Sequence, residues 1–162
     1  MRGVTVLCAW VAIAMPARRV GAQDFAFNPA MQWQGRAEMS ATSGGTSVLV
    51  GGGVNLPAGY YVRLGIDGAA GQRVQDGAAG FTWRTDLTAR FLLDPFAEQR
   101  VGWYAGGGLS AVHDGASWRP WVTLLVGREG PTAGRWRSAV EGAIGGGVRL
   151  GVVVRRARVN GR

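Results

Sequence analysis

The chain has 162 residues, 47% of them hydrophobic and 17% charged, which suits one compact domain and excludes a multidomain enzyme. Its 18 basic residues outnumber 10 acids for a formal charge of +8, and all 18 are arginine. No arginine run occurs in the body of the chain, which argues against a nucleic-acid binder, and 28 glycines with only 6 prolines argue against collagen-like or disordered chain.

Arg2 precedes a largely apolar stretch from Val4 to Met15, and Val20-Gly21-Ala22 offers small or tolerated side chains at the positions a signal peptidase reads. Residues 1–22 are therefore read as a secretory signal cut before Gln23, leaving residues 23–162 as one domain. The stretch is shorter than the ~18 residues a helix needs to span a bilayer. Cys8, the only cysteine, lies inside it, so the mature chain is expected to hold no disulfide and no cysteine-ligated metal. With His113 as the sole histidine, no metal and no cofactor is expected.

From Met31 onward the apolar period is two, the alternation of strands. Trp33, Gly35, Ala37, Met39 and Ala41 oppose Gln32, Gln34, Arg36, Glu38 and Ser40. Val48, Val50, Gly52 and Val54 oppose Ser47, Leu49, Gly51 and Gly53, and Asn55–Gly59 reads as a tight connection. Tyr60, Val62, Leu64 and Ile66 then oppose Tyr61, Arg63, Gly65 and Asp67, followed by an expected long loop, Gly68–Gly80. The clearest run is Phe81–Leu92, with Phe81, Trp83, Leu87 and Phe91 on one wall and Arg84, Asp86 and Arg90 on the other.

Leu93–Gln99 turns the chain into a fifth run, where Val101, Trp103, Ala105, Gly107 and Leu109 oppose Gly102, Tyr104, Gly106, Gly108 and Ser110. His113–Ala116 is a hairpin signal. In the sixth run Trp118, Val122, Leu124 and Val126 oppose Arg119, Trp121, Thr123 and Leu125, and Gly130–Gly134 closes it. Trp136, Ser138, Val140, Gly142 and Ile144 oppose Arg135, Arg137, Ala139 and Glu141; last, Val148, Leu150, Val152 and Val154 oppose Arg149, Gly151, Val153 and Arg155. Gly145–Gly147 fits either a hairpin or a longer strand.

Alternation alone leaves open which wall faces outward. A soluble exported barrel of lipocalin type would line a ligand cavity with the apolar wall, whereas a transmembrane barrel turns that wall to lipid. Three features favour the membrane. Aromatic residues gather near strand ends on the apolar wall, as in interfacial girdles. The polar wall carries nine arginines (Arg36, Arg63, Arg84, Arg90, Arg119, Arg135, Arg137, Arg149, Arg155) and four acids among many small residues. Glycine is frequent inside the runs, where it would weaken an ordinary sheet but allows sharp bending at a barrel corner, and runs of about nine to eleven residues also suit a tilted bilayer crossing. The expected fold is all-β, an eight-stranded antiparallel up-and-down transmembrane barrel.

In strand number, dyad pattern, signal and turn lengths the chain resembles the small eight-stranded outer-membrane barrels of the OmpA and OmpX type over roughly residues 31–159. The resemblance is architectural, with no short diagnostic motif, and it departs from that family's common terminal aromatic residue in ending Val159-Asn160-Gly161-Arg162. It implies an outer-membrane location, periplasmic termini, and lipid or lipopolysaccharide as neighbours, with Gly68–Gly80 as the loop that would meet a ligand or protein. The oligomeric state is left open, and nucleic acid is not an expected partner.

Within that reading, Arg36, Glu38, Arg63, Asp67, Arg84, Asp86, Arg90, Arg137, Glu141 and Arg149 project into one narrow lumen as an ionic network. An ionic plug is favoured over an anion-preferring pore, because eight strands leave little open bore. An acyl-transfer enzyme would need His113 as base with Ser110 or Ser117, but Ser110 has the opposite strand parity and His113-Asp114-Gly115 reads as a turn. No catalytic residue is assigned. Arg155–Arg158 is read as an interfacial basic cluster.

Overall fold

The computed structural model describes residues 31–93, 101–114, 117–133 and 135–156. Eight strands follow one another: β1 Gln32–Thr42, β2 Gly45–Pro57, β3 Val62–Gln75, β4 Ala78–Leu92, β5 Gly102–His113, β6 Trp118–Ala133, β7 Trp136–Ile144 and β8 Val148–Arg156. Each pairs antiparallel with its sequence neighbour, and β1 pairs with β8 to close the barrel. Closure leaves no sheet edge, so the ladder meets its backbone hydrogen bonds internally. The expected signal segment and the Arg156–Arg158 end of the basic cluster fall wholly or mostly outside the described residues.

The sequence periodicity becomes two walls. Val50, Leu109 and Val122 point outward at 65%, 61% and 70% exposure, whereas Arg84, Arg90 and Thr123 point into the lumen at 3%, 1% and 0%. This is the inverse of a soluble barrel: the apolar wall is outside, and no apolar ligand cavity of lipocalin type forms within. A small apolar patch in the lumen is formed by Tyr104, Leu125, Ala139 and Val153 on the β5–β8 side.

Several boundaries differ from those the sequence suggests. The expected loop Gly68–Gly80 does not form; β3 and β4 run through it and meet at the two-residue turn Asp76-Gly77. Both turn residues have positive φ, 49° and 79°, the geometry that an Asp-Gly pair favours in a hairpin. Strand β2 likewise continues to Pro57, so Asn55 is a buried lumen residue and the turn begins later. Gly145–Gly147 forms the β7–β8 hairpin turn rather than strand. Strand β6 extends to Ala133 across a register shift between Glu129 and Thr132, which places most of the expected Gly130–Gly134 closure within the ladder. Of the predicted turn at Leu93–Gln99 only Leu93 lies among the described residues.

Candidate functional site: the ionic column of the lumen

Strand parity aims the polar residues of all eight strands into one bore, where they meet in three tiers. Near the end where β1 begins and β8 finishes, Glu129 accepts from Arg63 Nη1 at 2.6 Å, from Arg155 Nη1 at 2.6 Å and from Arg137 Nη1 at 3.0 Å. Arg155 also donates through Nε to Gln34 Oε1 at 2.9 Å and through Nη2 to the Tyr104 hydroxyl at 3.1 Å. Its guanidinium stands 4.9 Å from the centroid of the Tyr104 ring.

The middle tier is built on Asp67 and Glu141. Asp67 Oδ2 lies 3.3 Å from Arg36 Nη1 and 3.0 Å from Arg90 Nη2, and Gln34 Nε2 donates to its other oxygen. Glu141 accepts from Arg36 Nη2 at 3.1 Å and from the Tyr104 hydroxyl at 3.0 Å, with Arg90 Nε at 3.4 Å. Asn55 bridges sideways, accepting from Arg90 Nη1 at 2.8 Å and donating to Gln34 Oε1 at 2.7 Å.

In the third tier Glu38 pairs with Arg36 at 3.0 Å and with Arg84, whose Nη2 donates at 2.6 Å. Asp86 pairs with Arg84 Nε at 2.8 Å and Arg149 Nη1 at 3.3 Å, and Ser110 donates to it. Ser110 and Thr123 share a further bond at 2.7 Å. Buried charges are tolerated when paired and hydrogen-bonded, and these tiers pair every one of them, leaving only single atoms such as Arg36 Nε and Arg149 Nε without a hydrogen bond among the described residues.

Glycines make the room. A Cβ at Gly65 would collide with the guanidinium of Arg90, and one at Gly127 would fall on the Tyr104 ring. Long side chains fill the bore because the opposing strand withdraws its own.

Of the residues singled out in the sequence, Arg36, Glu38, Asp67, Arg84, Asp86, Arg90, Glu141 and Arg149 lie buried in the bore. Arg63 and Arg137 lie nearer its end, and both meet Glu129 rather than Asp67 or Glu141. Seven further members stand outside that predicted set: Gln34, Asn55, Tyr104, Ser110, Thr123, Glu129 and Arg155. Arg155 sits in the bore at 3% exposure, not in an interfacial cluster. Glu129 shares the parity of Thr123 and Leu125, a signal hidden by ending the sixth run at Gly130. Two arginines counted on the polar wall stand apart: Arg135 is exposed in the β6–β7 turn, and Arg119 pairs with Asp114 at 2.9 Å near the opposite mouth.

His113 faces outward, its ring centroid 5.9 Å from that of Trp83 and 5.2 Å from that of Trp118, while Ser110 points into the lumen. Among the described residues no cluster of histidine, cysteine and carboxylate side chains suits a metal. The outer wall carries aromatic residues at both ends: Trp33, Trp103, Trp136 and Phe91 at one, Phe81, Trp83 and Trp118 at the other. Arg128, an outward charge that the sixth run stopped short of, lies 5.7 Å from the Trp103 ring centroid.

No protein-family model matches the sequence, and no curated protein is similar to it. The solved structures that share its architecture include two outer-membrane barrels. The N-terminal β-barrel domain of Pseudomonas aeruginosa OprF superposes with a TM-score of 0.54 at 12% identity, over 77% of this chain and 96% of that one. Neisserial surface protein A gives 0.53 at 12% identity, over 79% and 96%. The chain has the fold of the small eight-stranded outer-membrane barrels. At this identity the likeness concerns the fold alone; the lumen contacts described above are read from this chain's own residues.

Proposed function

We propose that the protein is an integral outer-membrane β-barrel, exported by residues 1–22, whose lumen is plugged by its own ionic column and whose role is structural or interactive rather than enzymatic. The observation that carries this reading is the inversion of the walls: apolar side chains cover the outside, and paired charges from six strands, with polar groups from β2 and β5, fill the inside. Lipid is the solvent that suits such an exterior, and the aromatic residues at both ends fit its interfaces. The outward Arg128 sits beside Trp103, where a guanidinium reaches headgroup phosphate while its stem stays in the apolar layer.

With an even number of strands, both ends of the sheet lie on the periplasmic side and the Asp76-Gly77 hairpin on the far side. Lipid and lipopolysaccharide are the proposed neighbours, met along the wall and around the hairpin tips. The test is the protein refolded in detergent, compared boiled and unboiled by gel mobility, then inserted into a planar bilayer. The reading predicts a heat-dependent shift without steady conductance. A soluble monomer that needs no detergent would overturn the membrane assignment, and stable ohmic steps would replace the plug with a pore.

A further inference from the structure

Beyond the third tier, at the end where β1 finishes and β8 begins, the lumen opens into a cavity of about 600 Å³. Its wall contains four guanidinium groups, Arg73, Arg84, Arg119 and Arg149, and a single carboxylate, Asp114. Asp114 serves two of the four, lying 3.3 Å from Arg73 and 2.9 Å from Arg119. Arg84 is committed to Glu38 and Asp86 in the tier below.

Arg149 is the one left under-satisfied. It is 92% buried, its contacts to the two oxygens of Asp86 are long at 3.3 and 3.4 Å, and its Nε has no hydrogen-bond partner among the described residues. A buried guanidinium with an unmet N–H is costly, and a bidentate oxyanion is the ligand whose geometry matches its fork. The hydroxyls of Ser40 and Ser47, 2.7 Å apart, lie in the same wall as further donors. Trp121 closes another side, its ring packed so tightly over Gly146 that no Cβ fits between them.

We propose that this vestibule is an anion-binding site for a phosphate group, with Arg149 as its principal ligand and the serine hydroxyls beside it. It is a dead end rather than a conduit, because the ionic column closes its floor. The phosphate is carried either by a small solute or by a lipid headgroup leaning into the mouth; both present the same tetrahedral oxyanion to Arg149.

The test is calorimetric titration of the protein refolded in dodecyl maltoside at low salt, with inorganic phosphate in one arm and dihexanoyl phosphatidic acid in the other. Saturable one-site binding in either arm is expected, and the tighter arm identifies the source. Arg149→Gln should weaken it roughly tenfold or more, the scale of a lost charged hydrogen bond. Asp114→Asn, which removes the one carboxylate of the cavity wall, should strengthen it. Arg137→Gln, at the opposite end of the barrel, should leave it unchanged. The heat-dependent gel shift of each sample separates loss of the site from loss of the barrel. A folded wild-type barrel that binds neither phosphate, or a folded Arg149→Gln variant that binds as tightly, would overturn the proposal.

Discussion

Asp67 and Asp86 are directly opposed register partners on β3 and β4, two buried carboxylates facing the same bore, and Arg36 lies between them with Nη1 3.3 Å from one and 3.8 Å from the other. The same guanidinium reaches Glu38 at 3.0 Å and Glu141 at 3.1 Å through Nη2. One cation thus ties the middle tier to the third and offsets a like-charge contact that cross-strand pairing would otherwise penalise.

Removing Arg36 should therefore cost more than removing any rim arginine. Arg36→Ala leaves four buried acids short of a cation, and a loss of about 3–5 kcal/mol is expected, the scale of a broken buried pair. Arg137→Ala, whose side chain is 36% exposed, should cost under about 1 kcal/mol. Urea unfolding of the detergent-folded barrel, read by tryptophan fluorescence, checks the difference.

Glu141 and Glu129 provide a second contrast. Glu141→Gln disturbs Arg36, Arg90 and Tyr104 at depth, whereas two of the three partners of Glu129, Arg63 and Arg137, reach the rim where water can replace the carboxylate. The Gln substitution at Glu141 should be the more destabilising by about 1–2 kcal/mol, within the range for leaving buried charged groups unsatisfied. Equal effects would show that depth in the bore does not govern the cost.

The sequence made the two walls legible because strand parity needs no tertiary knowledge: Arg84, Asp86 and Arg90 share a face whatever surrounds them. Which wall faces outward is not a property of alternation and rests on the aromatic and arginine distributions. Pairing partners were not legible either, since Arg63 meets Glu129 across 66 positions of sequence and only barrel closure sets that distance. The Gly68–Gly80 segment was misread because its small residues hid the strand period, although Asp76-Gly77 carried a hairpin signal. Arg155 has two readings in the sequence, on the polar wall by its parity with Arg149 and Val153 and in an interfacial cluster by its basic neighbours, and its burial in the bore agrees with the first.

Packing in the bore should be intolerant of added volume. Gly127→Ala places a methyl group on the Tyr104 ring and should cost about 1–3 kcal/mol, typical of overpacking. Combining it with Tyr104→Leu, which clears the ring, should recover part of the loss beyond additivity. A double-mutant cycle on unfolding free energies measures this; additive costs would mean that the two positions do not compete for space.

The outer wall gives a prediction that depends on the solvent. Leu109, flanked by Leu87 and Val122 in register, is exposed at mid-strand. Leu109→Arg should destabilise the barrel in lipid bilayers by about 2–4 kcal/mol, the cost of a cation near the bilayer midplane. In water the same change would be worth within about 0.5 kcal/mol, as for an ordinary surface site. Reversible unfolding in bilayers distinguishes the two.

The most direct measurement of the inverted barrel is spin-label accessibility at Ile66, Leu87 and Leu109, each replaced in turn by cysteine in a Cys8→Ser background and reconstituted into bilayers. These three side chains point outward from adjacent strands. An inverted barrel gives strong collisions with oxygen, which partitions into lipid, and weak collisions with a water-soluble nickel chelate at all three positions. Nickel accessibility exceeding oxygen accessibility there would place the apolar wall in water and contradict it.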